Sequence, residues 1–154
     1  MAARHLLNRP EMENGMIFGV DYYPEHWDRS EWEHQADVMK DGGFNTVRMG
    51  EFDWKLFEKE EGNFDFSLLD DAIEVLGKRG IKVILGTPTA APPKWLADKY
   101  DVLQRDRYGR VRAWGSRREC CANSKDYREK SKIIVKKMVK HFAGNKNVIG
   151  WQID

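Results

Sequence analysis

The feature that most constrains this chain is a repeated alternation of short apolar runs with longer amphipathic segments. Residues 16–20 (MIFGV), 45–49 (NTVRM) and 81–85 (IKVIL), with the run that begins at Val148, are short, apolar and rich in branched side chains, as strands are. Between them lie stripes at helical spacing. Ser30 and Glu33 have the spacing of a capping box, and Trp32, Ala36 and Met39 follow on one face until Gly42-Gly43. Ser67 with Asp70 opens a second stripe through Leu69, Ala72, Ile73 and Leu76, which stops at Gly80. Ser124 caps a third, with Tyr127, Ile134, Met138 and Phe142 on one side and Gly144 at its end. Strands joined by crossover helices must run parallel, so the pattern predicts an α/β fold with a parallel sheet.

An open nucleotide-binding sheet usually carries a glycine-rich phosphate loop after its first strand. Here that position holds Asp21-Tyr22-Tyr23-Pro24-Glu25, which favours a barrel. A closed (β/α)8 TIM barrel takes roughly 250 residues. The 154 residues present supply about its first half, four β/α units. The expected organisation is an N-terminal extension over residues 1–15 and a partial barrel over 16–154 that stops at strand four. That last strand ends in a carboxylate, Asp154, at the mouth where barrel enzymes place their chemistry.

Charge narrows the choice of partners. Lys plus Arg number 26 against 25 Asp plus Glu, a balance that predicts neither a nucleic-acid nor a membrane partner. The opening MAARHLLNRP lacks the apolar stretch and small-residue cleavage site of a secretory signal, so a cytoplasmic protein is expected. Cys120 and Cys121 are adjacent, and neighbouring side chains point apart, so reduced thiols are expected rather than a disulfide.

The segments after strands two and three mix polar groups with tryptophan: Gly50-Glu51-Phe52-Asp53-Trp54, and the run from Gly86 through Thr87, Thr89, Lys94 and Trp95. Sugar rings offer flat C–H faces edged by hydroxyls, and a pocket for them wants an aromatic platform beside hydrogen-bonding groups. The six tryptophans agree, although packing is the commoner use of any one of them.

The ordered runs FGVDYYPEHW, NTVRMGEFDW, EGNFDFSLLDDAIE, LGTPTAAPPKWLA, GSRRECCANS and VIGWQID together resemble the N-terminal part of the family 42 glycoside hydrolases, bacterial β-galactosidases with a (β/α)8 catalytic barrel. The resemblance implies a retaining hydrolase of terminal non-reducing β-D-galactosides. It also implies that neither catalytic carboxylate lies in residues 1–154. The general acid/base Glu would follow Asp154 after one Asn, and the nucleophile Glu would lie near the end of strand seven. Retention needs these two carboxyl groups about 5 to 5.5 Å apart, so the residues present are expected to be inactive alone. Arg117 matches the family arginine that contacts galactose, and Arg48 one that points inward to support the nucleophile. Its neighbour Arg118 is expected in a structural ion pair. Cys121 matches a cysteine that joins three later ones around a structural zinc in some members; Glu119-Cys120 departs from the His-Tyr common there. Glu25, Glu51 and Asp53 are expected as hydrogen-bonding or ion-pairing groups of the rim, and His26 and His34 as rim and surface groups. No cofactor is required for the chemistry, the partner is a β-galactoside, and related enzymes form homo-oligomers, often trimers. The alternative is a half-barrel that binds carbohydrate or assembles with a partner without catalysis.

Overall fold

A computed structural model describes residues 16–154; the extension read over residues 1–15 lies outside the described residues. Four strands, β1 (Gly19–Asp21), β2 (Thr46–Met49), β3 (Lys82–Gly86) and β4 (Val148–Gln152), form one parallel sheet in chain order. Five helices accompany them: α1 (Trp32–Asp41), α2 (Trp54–Phe57), α3 (Ser67–Gly77), α4 (Lys94–Lys99) and α5 (Lys125–Phe142).

Alternation along the strands divides the sheet into two unlike faces. Val47, Met49, Val83 and Leu85 are wholly buried, whereas Arg48 and Ile84 between them are not. The buried set packs with the helical stripes: Trp32, Ala36 and Met39 of α1, Leu69, Ala72, Ile73 and Leu76 of α3, and Ile134, Met138 and Phe142 of α5. Every stripe residue expected from spacing is buried except Tyr127, which is half-buried because its hydroxyl reaches the Thr89 carbonyl at 2.9 Å. The opposite, partly open face belongs to Arg48 and the strand ends, and it positions the site.

Several boundaries differ from expectation. The first strand begins at Gly19 rather than residue 16 and extends to Asp21. Phe18 instead stacks on Phe44 at 4.7 Å and exchanges hydrogen bonds with Asn45, so its aromatic surface is satisfied outside the ladder. The hydroxyls of Ser30 and Ser67 do not cap their helices. In each case the capping acceptor is an aspartate two residues earlier, Asp28 Oδ1 and Asp65 Oδ1 each accepting the serine N–H at 2.9 Å, so the serine lies one or more positions inside the helix start rather than at its cap. Ser124 does cap α5, accepting the Tyr127 N–H. The short helices α2 and α4 arise in stretches that look irregular in sequence; Trp54, Phe57 and Leu96 are fully buried and hold them by tertiary packing.

Candidate active-site rim

Arg48 lies on the open face of β2, and its guanidinium gathers polar groups from across the sheet. It donates to Gln152 Oε1 of β4 at 2.6 Å and to Asp21 Oδ2 of β1 at 2.7 Å, and it pairs with Glu51 Oε1 at 3.0 Å. A planar fork with five fixed donors can spread these three partners over two nitrogens, where an ammonium would have to crowd them round one. Burial works against its charge, and the Glu51 and Asp21 carboxylates outweigh that, leaving its pKa raised. Glu51 is only 2% exposed and also accepts the Tyr23 hydroxyl at 3.2 Å.

Two glycines bring Glu51 to that place. Gly50 turns the chain at φ +91°, a left-handed conformation that disfavours side chains. A Cβ on Gly86 would sit 2.6 Å from the Glu51 Cβ, so only a bare backbone lets the loop after β2 close on β3.

Beside this pair lie two further acids, Asp53 and Glu25, the second with Oε1 3.8 Å from His26 Nε2. Asp53, buried at the start of α2, and Glu25, in the 3-10 turn Pro24–His26 after β1, have carboxyl groups close enough to act on each other's titration. Glu25 Oε2 and Asp53 Oδ2 meet no hydrogen-bond donor among the described residues. Burial, with the Glu25 charge and hydrogen bond and the Glu51 charge adding to it, pushes Asp53 up to about 8. Burial pushes Glu25 up as well. With both carboxyls pushed up, one proton held between them would join the loop after β1 to the loop after β2. Of the three acids expected as hydrogen-bonding or ion-pairing groups of the rim, Glu51 pairs with Arg48, Glu25 lies 3.8 Å from His26, and Asp53 is a buried acid beside Glu25. Burial, which separates these roles, is not written in the local sequence.

Arg117 and Arg118 diverge. Arg118 is the one non-glycine residue among those described with a left-handed backbone, φ 58°, and its guanidinium pairs with Asp154 Oδ1 at 2.6 Å, the structural ion pair expected of it. Arg117 lies over the Phe52 ring at 5.0 Å, with Asp154 Oδ1 at 3.9 Å, and stays largely exposed. Phe52 in turn lies 6.0 Å from the Tyr23 ring, and Tyr23 5.3 Å from His26. The structure therefore brings Arg117 to the aromatic loops, while Arg48 occupies the sheet face beside them.

The tryptophans divide. Trp54 and Trp32 are buried, with indole N–H groups donating to Glu58 Oε2 and the Pro24 carbonyl, and serve packing rather than a sugar platform. Trp27 and Trp114 are exposed. Cys121 is half-buried beside the buried Cys120, both as free thiols. Among the described residues no group of three or more His, Cys, Asp or Glu is placed to hold a metal, so these residues do not by themselves fit a zinc site. Glu119 is buried with neither carboxyl oxygen partnered, a placement that nothing in its sequence neighbourhood signals. His34 is exposed on α1. Among the described residues no helix is long and apolar enough to cross a membrane.

A family model described as beta-galactosidase matches residues 21–154. A β-galactosidase of Haloferax lucentense is 50% identical over 140 residues, covering 90% of this chain and 21% of that protein. The crystal structure of a β-galactosidase from the psychrophilic Marinomonas ef1 superposes with a TM-score of 0.86 at 44% identity, over 90% of this chain and 21% of that one. A β-galactosidase from the Antarctic haloarchaeon Halorubrum lacusprofundi gives a TM-score of 0.86 at 48% identity, with the same coverage. The chain thus spans about a fifth of the length of the relatives it matches, and its four-stranded parallel sheet is the N-terminal half of their barrel, unclosed here.

Proposed function

The chain belongs to the β-galactosidases of glycoside hydrolase family 42, and on that premise we propose that the whole protein hydrolyses terminal β-D-galactosides with retention of configuration. In this reading a carboxylate attacks the anomeric carbon as the glycosidic bond breaks, and a carboxylic acid protonates the departing oxygen. Water then cleaves the galactosyl ester, with the same acid, now a base, taking its proton. Both carboxyl groups fall outside residues 1–154, the acid in the residues that follow Asp154. What the chain contributes is the frame. Arg117 contacts galactose hydroxyls through its fixed donors, and Arg48 supports the nucleophile by charge and hydrogen bonding. The one observation that carries the reading is the family match across residues 21–154.

The same proposal includes a β-galactoside as partner, a cytoplasmic location and a homo-oligomer, trimeric as in related enzymes. Cys121 is offered as one thiolate of a structural zinc; no catalytic step runs through it. The test is a chromogenic β-galactoside assay of the full-length protein beside residues 1–154 alone. Turnover is expected from the first, and none above a heat-killed control from the second. A full-length protein without β-galactosidase activity overturns the reading.

A further inference from the structure

We propose that Asp154 is a positioning residue: gripped by Arg118 through its carboxylate and by Thr87 and Thr89 through its backbone, it sets the direction in which the chain leaves β4. The inference rests on the β-galactosidase reading, which places the general acid just beyond this residue.

The backbone ladder between β3 and β4 ends where Thr87 N–H donates to the Gln152 carbonyl at 2.9 Å. Past that point side chains take over. Asp154 N–H donates to Thr87 Oγ1 at 2.9 Å, and Thr89 Oγ1 donates to the Asp154 carbonyl at 3.1 Å. Both threonines are buried, and the Thr89 carbonyl is itself held by the Tyr127 hydroxyl of α5 at 2.9 Å. The intervening Ile153 is 77% exposed and anchors nothing among the described residues. The strand exit is therefore fixed by Asp154 alone.

Its carboxylate closes the grip. The side chain is 4% exposed, so its charge needs a close cation, and Arg118 supplies one at 2.6 Å. Arg118 does so from a left-handed backbone, φ 58°, a conformation that persists in a non-glycine residue only where surroundings over-determine it. The neighbouring Arg117 lies over Phe52 and reaches the same carboxylate oxygen only at 3.9 Å, so Arg118 makes the close contact. One residue thus registers three elements on each other: the loop after β3, the loop before α5, and the end of β4.

A group that aims a general acid matters in proportion to how much the leaving oxygen needs a proton, and that dependence separates positioning from mere stabilisation. In the full-length protein, kcat/KM is measured on phenyl β-galactoside, a poor leaving group, and on 2,4-dinitrophenyl β-galactoside, which departs without protonation. Asp154→Asn is expected to lose about tenfold or more on the first and less than about twofold on the second. Thr87→Val, near-isosteric and neutral, is expected to lose in the same order with a smaller magnitude, and it carries the measurement if Asp154→Asn does not fold. Equal losses on both substrates, or none on either, overturn the positioning role while the wild type remains active. A wild type that hydrolyses neither substrate overturns the parent reading and this inference with it.

Discussion

Arg48 and Glu51 form an asymmetric pair: the arginine is a third exposed, the glutamate almost wholly buried. Truncating the exposed partner therefore harms the buried one. Arg48→Met leaves the Glu51 carboxylate with only the Tyr23 hydroxyl, and is expected to lower unfolding stability by about 2–3 kcal/mol, below the range for fully buried pairs because water reaches the guanidinium. Urea denaturation of the full-length protein checks the value; a loss below about 0.5 kcal/mol would mean that Glu51 finds another partner. Asp53 presents the opposite case, an acid kept neutral. Its pKa rises on folding from 3.8 to about 8, so between those values the folded state holds the proton more tightly than the unfolded one. Stability from this group is full below about pH 4 and drains away as pH climbs to about 8. Asn at this position keeps an N–H donor for Glu25 and cannot ionise. Asp53→Asn should therefore gain on wild type progressively from pH 5 to 8, on the order of 1–2 kcal/mol, since Glu25 shares the proton. Paired melting curves across that range test the sign, and a constant difference between the two proteins would exclude the shared proton.

Elements, not residues, explain what could be anticipated from sequence. The stripes of α1, α3 and α5 were legible because a helix that buries one face repeats its apolar positions every three to four residues, and all but Tyr127 of the named positions are buried. The cap positions at Ser30 and Ser67 are displaced for a local reason, since Asp28 and Asp65 stand two residues ahead of each serine and accept its N–H, which moves the turn's start upstream of the serine. Arg117, Arg48 and Cys121 were visible only through resemblance. The Glu25–Asp53 pair was not visible at all, because its burial depends on how the loops after β1 and β2 close, and no local pattern records that. Gly86 governs a neighbouring approach, that of the Glu51 loop to the end of β3. Gly86→Ala would press a methyl group against Glu51 Cβ at 2.6 Å and its Cα at 3.1 Å, backbone that cannot swing aside. The expected cost is about 1–3 kcal/mol with a displaced Glu51 loop. A crystal structure of the variant, with its melting temperature, decides this; an unmoved loop at unchanged stability would show that β3 yields instead.

At the scale of the molecule, the sheet has two outer strands with nothing beyond them among the described residues. β1 is exposed along its whole length, with Val20 at 38% and the preceding Ile17 and Phe18 at 58% and 50%. Unpaired N–H and C=O groups beside apolar side chains are a template for another strand, from the rest of a barrel or from a second copy. The closed barrel of the relatives gives that edge a partner; the reading of a non-catalytic assembly module would give it another chain. Residues 1–154 alone are therefore expected to self-associate with rising concentration, and Val20→Lys, a charge on the edge strand, should shift them toward monomer. Sedimentation velocity over a hundredfold concentration range reads both. In the full-length protein the same lysine should leave assembly unchanged but weaken the fold, because strand closure would bury its neighbourhood. A variant that alters the isolated residues and the full-length protein alike would mean that β1 is an outer edge in both, and the barrel would not close there.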